Sequence, residues 1–209
     1  MKRTLSLCVL FAGCLAITQL GTTRAQPEQE PQKESALTQE RQGASDLLEQ
    51  ELVRAELERS ARGLAMSPVP VNAGVGRTRV QIGLGSYLVN TACVSCHTNP
   101  TYQSGGNPYF GQPEKVNTAN FLAGGATFGP FLSRNLTPDP KKDNLPAGLT
   151  LDEFKHIMRT GEDDDHLHPQ FGPLLQVMPW PEFSKLSERD LEAMYAYLRV
   201  IPHAEPGKQ

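Results

Sequence analysis

Five consecutive residues, Cys93-Val94-Ser95-Cys96-His97, carry types and a spacing that point to one chemistry. Two thiols separated by two residues, followed at once by an imidazole, form the C-x-x-C-H pattern of covalent haem attachment. The thiols must reach the two vinyl groups on one edge of a porphyrin, and the next residue must turn its ring under the iron. Two spacer residues at the end of a helix satisfy both demands. His97 then supplies a nitrogen ligand to iron. Its other ring nitrogen should donate to a carbonyl, which fixes the tautomer; Pro100 and Pro108 are candidate acceptors. Zinc fits poorly, because a structural zinc site wants four ligands. Outside the motif there are only His156, His166, His168 and His203, with no cysteine beyond Cys8 and Cys14. A thioredoxin-like pair would need a βαβ setting, which the chain lacks.

A second axial ligand is sought among methionines and histidines. Met178 lies in the irregular stretch Gln176-Val177-Met178-Pro179-Trp180-Pro181, where Pro179 biases Met178 away from helix geometry. Met158 and Met194 fall on apolar faces of predicted helices and read as core, and Met66 lies in a linker. His166 and His168 remain competitors, since imidazole also suits iron, and an open distal position is the third possibility.

The compartment agrees with this chemistry. Lys2 and Arg3 precede an apolar run from Leu5 to Leu20, and Thr23-Arg24-Ala25 offers small residues where a signal peptidase reads. Residues 1–25 therefore read as a secretory leader, and the expected location is the periplasm. Phe11-Ala12-Gly13-Cys14 offers a rival cut that would leave a lipid anchor on Cys14, but a soluble mature protein is the preferred reading. Cleavage after Ala25 removes Cys8 and Cys14, so Cys93 and Cys96 would be the cysteines that remain. It also removes Lys2, Arg3 and Arg24, leaving 17 basic against 23 acidic residues, a net charge of −6. That charge argues against a nucleic-acid partner. Apolar residues make up 38% of the chain, beside 17 prolines and 18 glycines, so a large apolar cofactor would serve as organiser.

The elements that must position the motif are few. Residues 26–78 read as a polar lead-in, a charged amphipathic helix over 35–62 and a Pro/Gly linker over 66–77. The helix reads as a solvated face, with a docking arm for a partner as the alternative. A second helix over 79–91 leads into the motif. Gly83 and Gly85 cost about 1 kcal/mol each there, which makes sense if another helix crosses closely. Residues 98–148 are loop-rich. Thr150 with Glu153 forms a capping box for a helix that ends at Gly161. Glu162-Asp163-Asp164-Asp165 reads as a solvated acidic loop. A last helix begins at Ser187, capped with Asp190, and carries Leu191, Met194, Tyr195 and Leu198 on one face until Pro202 stops it. Residues 205–209 read as a tail.

The segment 79–204 resembles class I cytochrome c domains, especially the haem-bearing domains that accompany membrane-associated bacterial dehydrogenases. The resemblance rests on Gly85-Ser86-Tyr87-Leu88-Val89 before the haem motif, Ser133-Arg134-Asn135-Leu136-Thr137-Pro138-Asp139, Arg159-Thr160-Gly161, Met178-Pro179, and Asp190-Leu191-Glu192-Ala193-Met194-Tyr195-Ala196-Tyr197-Leu198. It implies an all-α, loop-rich fold wrapped around one covalent haem c. Its first and last helices would cross where Gly83 or Gly85 meets Tyr195. It further implies Met178 as the distal ligand, Asn135 near the haem edge and Arg134 as a propionate partner. His97 and Met178 are 81 residues apart, longer than in compact members.

A His/Met-ligated iron has no open position for substrate and, with Met ligation, a raised potential. The expected role is an electron carrier rather than an enzyme. It would pass single electrons from a donor dehydrogenase or reductase to an acceptor cytochrome or oxidase. The alternatives are a fixed electron-transfer subunit of a dehydrogenase complex, docked through the 35–62 helix, and a haem enzyme or gas sensor with a displaceable distal ligand.

Overall fold

The computed structural model describes residues 30–165 and 167–207, so the proposed leader with Cys14, and His166, lie outside the described residues. Six helices carry the architecture: α1 Glu30–Met66, α2 Gly76–Ala92, α3 Val94–His97, α4 Leu151–Thr160, α5 Trp180–Phe183 and α6 Glu188–Leu198. Between α3 and α4 lie four two-residue strands, β1 Thr127–Phe128, β2 Phe131–Leu132, β3 Pro138–Asp139 and β4 Leu145–Pro146. They pair as two small antiparallel hairpins, β1 with β2 and β3 with β4. The result is helix-rich and compatible with a cytochrome c fold. None of the helices among the described residues is long and apolar enough to cross a membrane.

The chain divides into two compact units, Met1–Asp46 and Leu47–Gln209. The described part of the first is helical, with exposed side chains and local bonds such as Gln42 to Asp46. The second contains everything that bears on chemistry. It begins well before residue 79, because the end of α1 packs on α2. The Ser86 hydroxyl donates to the Gly63 carbonyl at 2.6 Å. A Cβ at Gly63 would strike the Gly83 carbonyl, and one at Gly83 would strike Ser60. The stretch expected to be a linker is likewise tied down. Val69 and Ala73 are buried in the core, and Ser67 shares a 2.8 Å hydrogen bond with the Tyr197 hydroxyl.

The most extensive helix pairing joins α2 to α6. Here the expected partner is corrected. Gly85 meets the main chain of Ala193, not Tyr195, and a Cβ on Gly85 would collide with the Ala193 carbonyl. Tyr195 turns the other way, stacking near Phe154 and donating its hydroxyl to the Leu149 carbonyl at 2.9 Å. Met158 and Met194 sit in the core as expected, with Leu191, Tyr197, Leu198, Val89, Phe121 and Leu122.

Local signals set both later helices. The Thr150 and Ser187 hydroxyls accept from the backbone at their third positions, and Glu153 and Asp190 reach back reciprocally. Gly161 closes α4 in the left-handed conformation, with φ +74°. The last residues do more than trail. The Ala204 N–H donates to Thr137 Oγ1, Asn120 Nδ2 donates to the Glu205 carbonyl, and Pro206 lies over Gly125.

Candidate functional site

The Cys93–His97 segment is built by ending one helix and starting another. The Cys93 N–H still donates to the Val89 carbonyl, so Cys93 closes α2. α3 is a single turn, with the His97 N–H on the Cys93 carbonyl at 3.0 Å and the Thr98 N–H on the Val94 carbonyl. Both thiols are free; Cys93 is buried and Cys96 half-buried. Burial, reinforced by the neighbouring Cys96, pushes the Cys93 thiol up to about 12, so it stays protonated at neutral pH.

His97 is held from two sides. Its own carbonyl accepts the Gly124 N–H at 2.7 Å, and Thr98, fully buried beside it, accepts the Leu122 N–H on its hydroxyl. Its Nδ1 lies 2.8 Å from the Arg134 carbonyl. A carbonyl only accepts, so Nδ1 carries the proton and donates, which leaves the lone pair on Nε2. Burial lowers the pKa of the ring, opposed by the bond to Arg134, and so favours the neutral form that binds a metal. The carbonyl expected from the sequence is therefore present, but it belongs to Arg134 and not to Pro100 or Pro108. Gly124 makes the approach possible: at φ +74° a Cβ there would stand 2.5 to 2.6 Å from the Ser133 and Arg134 main chain.

Asn135 ties its own loop to the C-terminal strap, residues 203–206. Its Oδ1 accepts from the Thr137 N–H and hydroxyl, and its Nδ2 donates to the Ala204 carbonyl at 2.8 Å. The Arg134 guanidinium has partners of its own. Nη1 lies 2.5 Å from Asp163, Nη2 donates to the Ala147 carbonyl at 3.0 Å, and Asp165 stands 4.0 Å off. Asp163, read from the sequence as part of a solvated run, is only 5% exposed. Its inward turn is the feature sequence reasoning missed, because four acidic residues in a row carry no mark of which one faces in.

Met178 packs against the same apolar cluster that contains Cys93 and Val94. The segment leading to it leaves Leu167, Phe171, Leu174 and Val177 exposed. Phe131, His168 and Phe171 form a stack, with ring centroids 4.8 to 5.5 Å apart. His168 is thereby engaged by two phenyl rings, and His156 lies near Glu162 at 3.4 Å. Two free thiols one turn apart, a neutral imidazole with its Nε2 lone pair unprotonated, and exposed apolar side chains beside a thioether make a donor set that fits a haem. Cys93 and Cys96 would hold its edge, and His97 and Met178 would hold its iron.

Over 130 residues the chain is 33% identical to the cytochrome c subunit of a quinone alcohol dehydrogenase from Gluconacetobacter polyoxogenes, covering 60% of this chain and 23% of that protein. The chain is also 30% identical over 129 residues to the gluconate 2-dehydrogenase cytochrome c subunit of Pantoea cypripedii, covering 59% of this chain and 24% of that one. The matched segment is similar to the cytochrome c subunits of these dehydrogenases. One of the subunits of nicotinate dehydrogenase from Pseudomonas putida matches it at 34% over 111 residues, 51% of this chain and 7% of that protein. The chain thus matches less than a quarter of the length of these curated relatives. No family model matches it.

Proposed function

We propose that the chain is an exported, periplasmic monohaem cytochrome with the haem bound covalently through Cys93 and Cys96 and its iron ligated by His97 and Met178. It would relay single electrons from a donor dehydrogenase or reductase to an acceptor cytochrome or oxidase. The observation that carries this reading is the Cys93–His97 turn with the His97 Nδ1–H already seated on the Arg134 carbonyl.

The bound haem supplies a one-electron couple. The protein's residues supply the rest. Cys93 and Cys96 fix position, one at the end of α2 and one within α3. The Arg134 carbonyl keeps the imidazole in one tautomer and one orientation through a change of charge, and raises its basicity as a ligand. Met178, set in a loop against the core, adds a soft ligand that favours the reduced state. Neither side needs a proton to move, which suits a carrier and not a catalyst.

A second reading is favoured by the relatives, which are named as subunits of dehydrogenases. On that reading the same site works as a fixed relay inside a complex, and α1, with Leu48 and Leu52 exposed, docks it. Co-purification of the tagged full chain separates the two: a dehydrogenase retained in stoichiometric amount favours the fixed relay, and a monomer in solution favours the mobile carrier.

The optical spectrum of the haem-loaded chain tests the site itself. A low-spin spectrum with the weak methionine–iron charge-transfer band, lost in Met178→Ala, is the expected outcome. A high-spin spectrum that shifts promptly with carbon monoxide would sink the closed site and favour an enzyme or gas sensor.

A further inference from the structure

Arg134 takes part in both sides of the site. Its carbonyl accepts from His97 at 2.8 Å. Its guanidinium, 15% exposed, lies 2.5 Å from Asp163, itself 5% exposed, and also donates to Ala147 at 3.0 Å. Asp163 belongs to the loop that ends in Met178. The two limbs of that loop are zipped together, with the Asp163 N–H on the Pro173 carbonyl at 2.9 Å and the Leu175 N–H on the Gly161 carbonyl at 2.8 Å. Glu162 and Leu174 bridge between them. Met178 follows three residues after Leu175.

From this we infer that Asp163 is a positioning residue: through Arg134 it ties the His97 carbonyl bond to the loop bearing Met178, so the two axial ligands are held by one buried ion pair. The inference rests on the assignment of His97 and Met178 as iron ligands. The geometry suits an arginine in particular. Its planar fork engages Asp163 with one nitrogen and Ala147 with the other, which a lysine cannot do. The second carboxylate, Asp165, is half-exposed and shared with Lys142 at 3.0 Å, so it adds little to the pair.

Removing one partner of a buried pair leaves an uncompensated charge and is strongly destabilising, whereas replacing both by apolar residues of similar volume is often tolerated. Two variants of the haem-loaded full chain therefore serve: Asp163→Asn, and the double variant Arg134→Met/Asp163→Leu, which keeps the fold while removing the tie. Two rates are read in each. One is imidazole binding to the ferric protein, which requires Met178 to leave. The other is solvent exchange of the His97 Nδ1–H, followed by NMR in the reduced protein. Both rates should rise by about tenfold or more in both variants, and stay within about twofold in Lys142→Gln, which touches only the exposed arm.

Wild-type rates in the double variant, or a rise on one side alone, would overturn the coupling. Met178→Ala separates this from failure of the ligand assignment. If wild type binds imidazole as fast as Met178→Ala, the assignment falls and the coupling with it. If wild type is slow, Met178→Ala fast and the double variant slow, the coupling alone falls.

Discussion

The segment carrying His97 and the segment carrying Met178 are held in contrasting ways. Around His97 the backbone is pinned at nearly every residue: to Cys93 and Val94 within the turn, to Gly124 across it, and to Arg134 through the ring. Thr98 beside it is buried. The stretch from residue 167 to 177 is anchored mainly at its base, by Gly161 and Asp163, and shows Leu167, Phe171, Leu174 and Val177 to the outside. The proximal geometry is complete in the polypeptide alone. The stretch before Met178 instead presents an apolar surface, which on the proposed reading the haem would cover.

The contrast breaks most severely at Gly124. A Cβ there meets the Ser133 and Arg134 main chain at a φ that disfavours any side chain. Gly124→Ala should cost roughly 3 kcal/mol or more, read by denaturant unfolding of the haem-loaded chain. It should also displace the carbonyl that His97 uses. A cost below about 0.5 kcal/mol would mean that the proximal side is less rigid than its bonding indicates.

The distal side sharpens the comparison through a double change, Leu174→Ser with Val177→Ser. If the haem covers these side chains, the loaded chain should lose about 2–4 kcal/mol. Surface residues covered by nothing would give less than about 0.5 kcal/mol each, and that result would place the haem elsewhere.

A smaller effect concerns the strap over the proximal loop. His203 Nδ1 lies 2.8 Å from the Pro138 carbonyl and Nε2 2.8 Å from Glu205. Both partners accept, so both nitrogens carry protons. The bond to Glu205 first, then the one to Pro138 and the nearby charge of Asp139, raises the pKa above 6.5 against the cost of burial. A raised value means stabilisation that is full below about 6.5, the unfolded value, and lost as pH climbs through the folded one. The difference in Tm between wild type and His203→Gln should therefore be largest near pH 5 and shrink towards about pH 9. A difference independent of pH would remove His203 from the strap's fastening.

Much of this was readable in residue types because it depends on them locally. The haem motif, the Thr150 and Ser187 capping boxes and the Gly161 stop are each written within a few residues. The core faces of α4 and α6, with Met158 and Met194, follow from helical spacing. What the sequence hid are contacts made by backbone or across long separations. The carbonyl meeting His97 lies 37 residues away, and every residue has a carbonyl, so no residue type announces it. Asp163 differs from Asp164 only in the direction the loop turns it. Val69 and Ala73 join a core that includes α6 residues, far along the chain, and the partner of Gly83 is the end of α1, which composition alone marks as solvated.

The glycines of α2 have a consequence at a distance. α1 lies against the main chain at Gly83 and α6 against it at Gly85, so the helix is gripped front and back at one level. Cys93 stands eight residues beyond Gly85, about 12 Å along the axis at 1.5 Å per residue. The helix thus behaves as a short lever clamped near its middle. A displacement at the clamp by the width of a methyl group would be delivered to the thiol, the group that on the proposed reading must meet the haem edge. If Cys93 bonds a haem as proposed, the accuracy with which it meets that target is in this sense set by two residues that have no side chain at all.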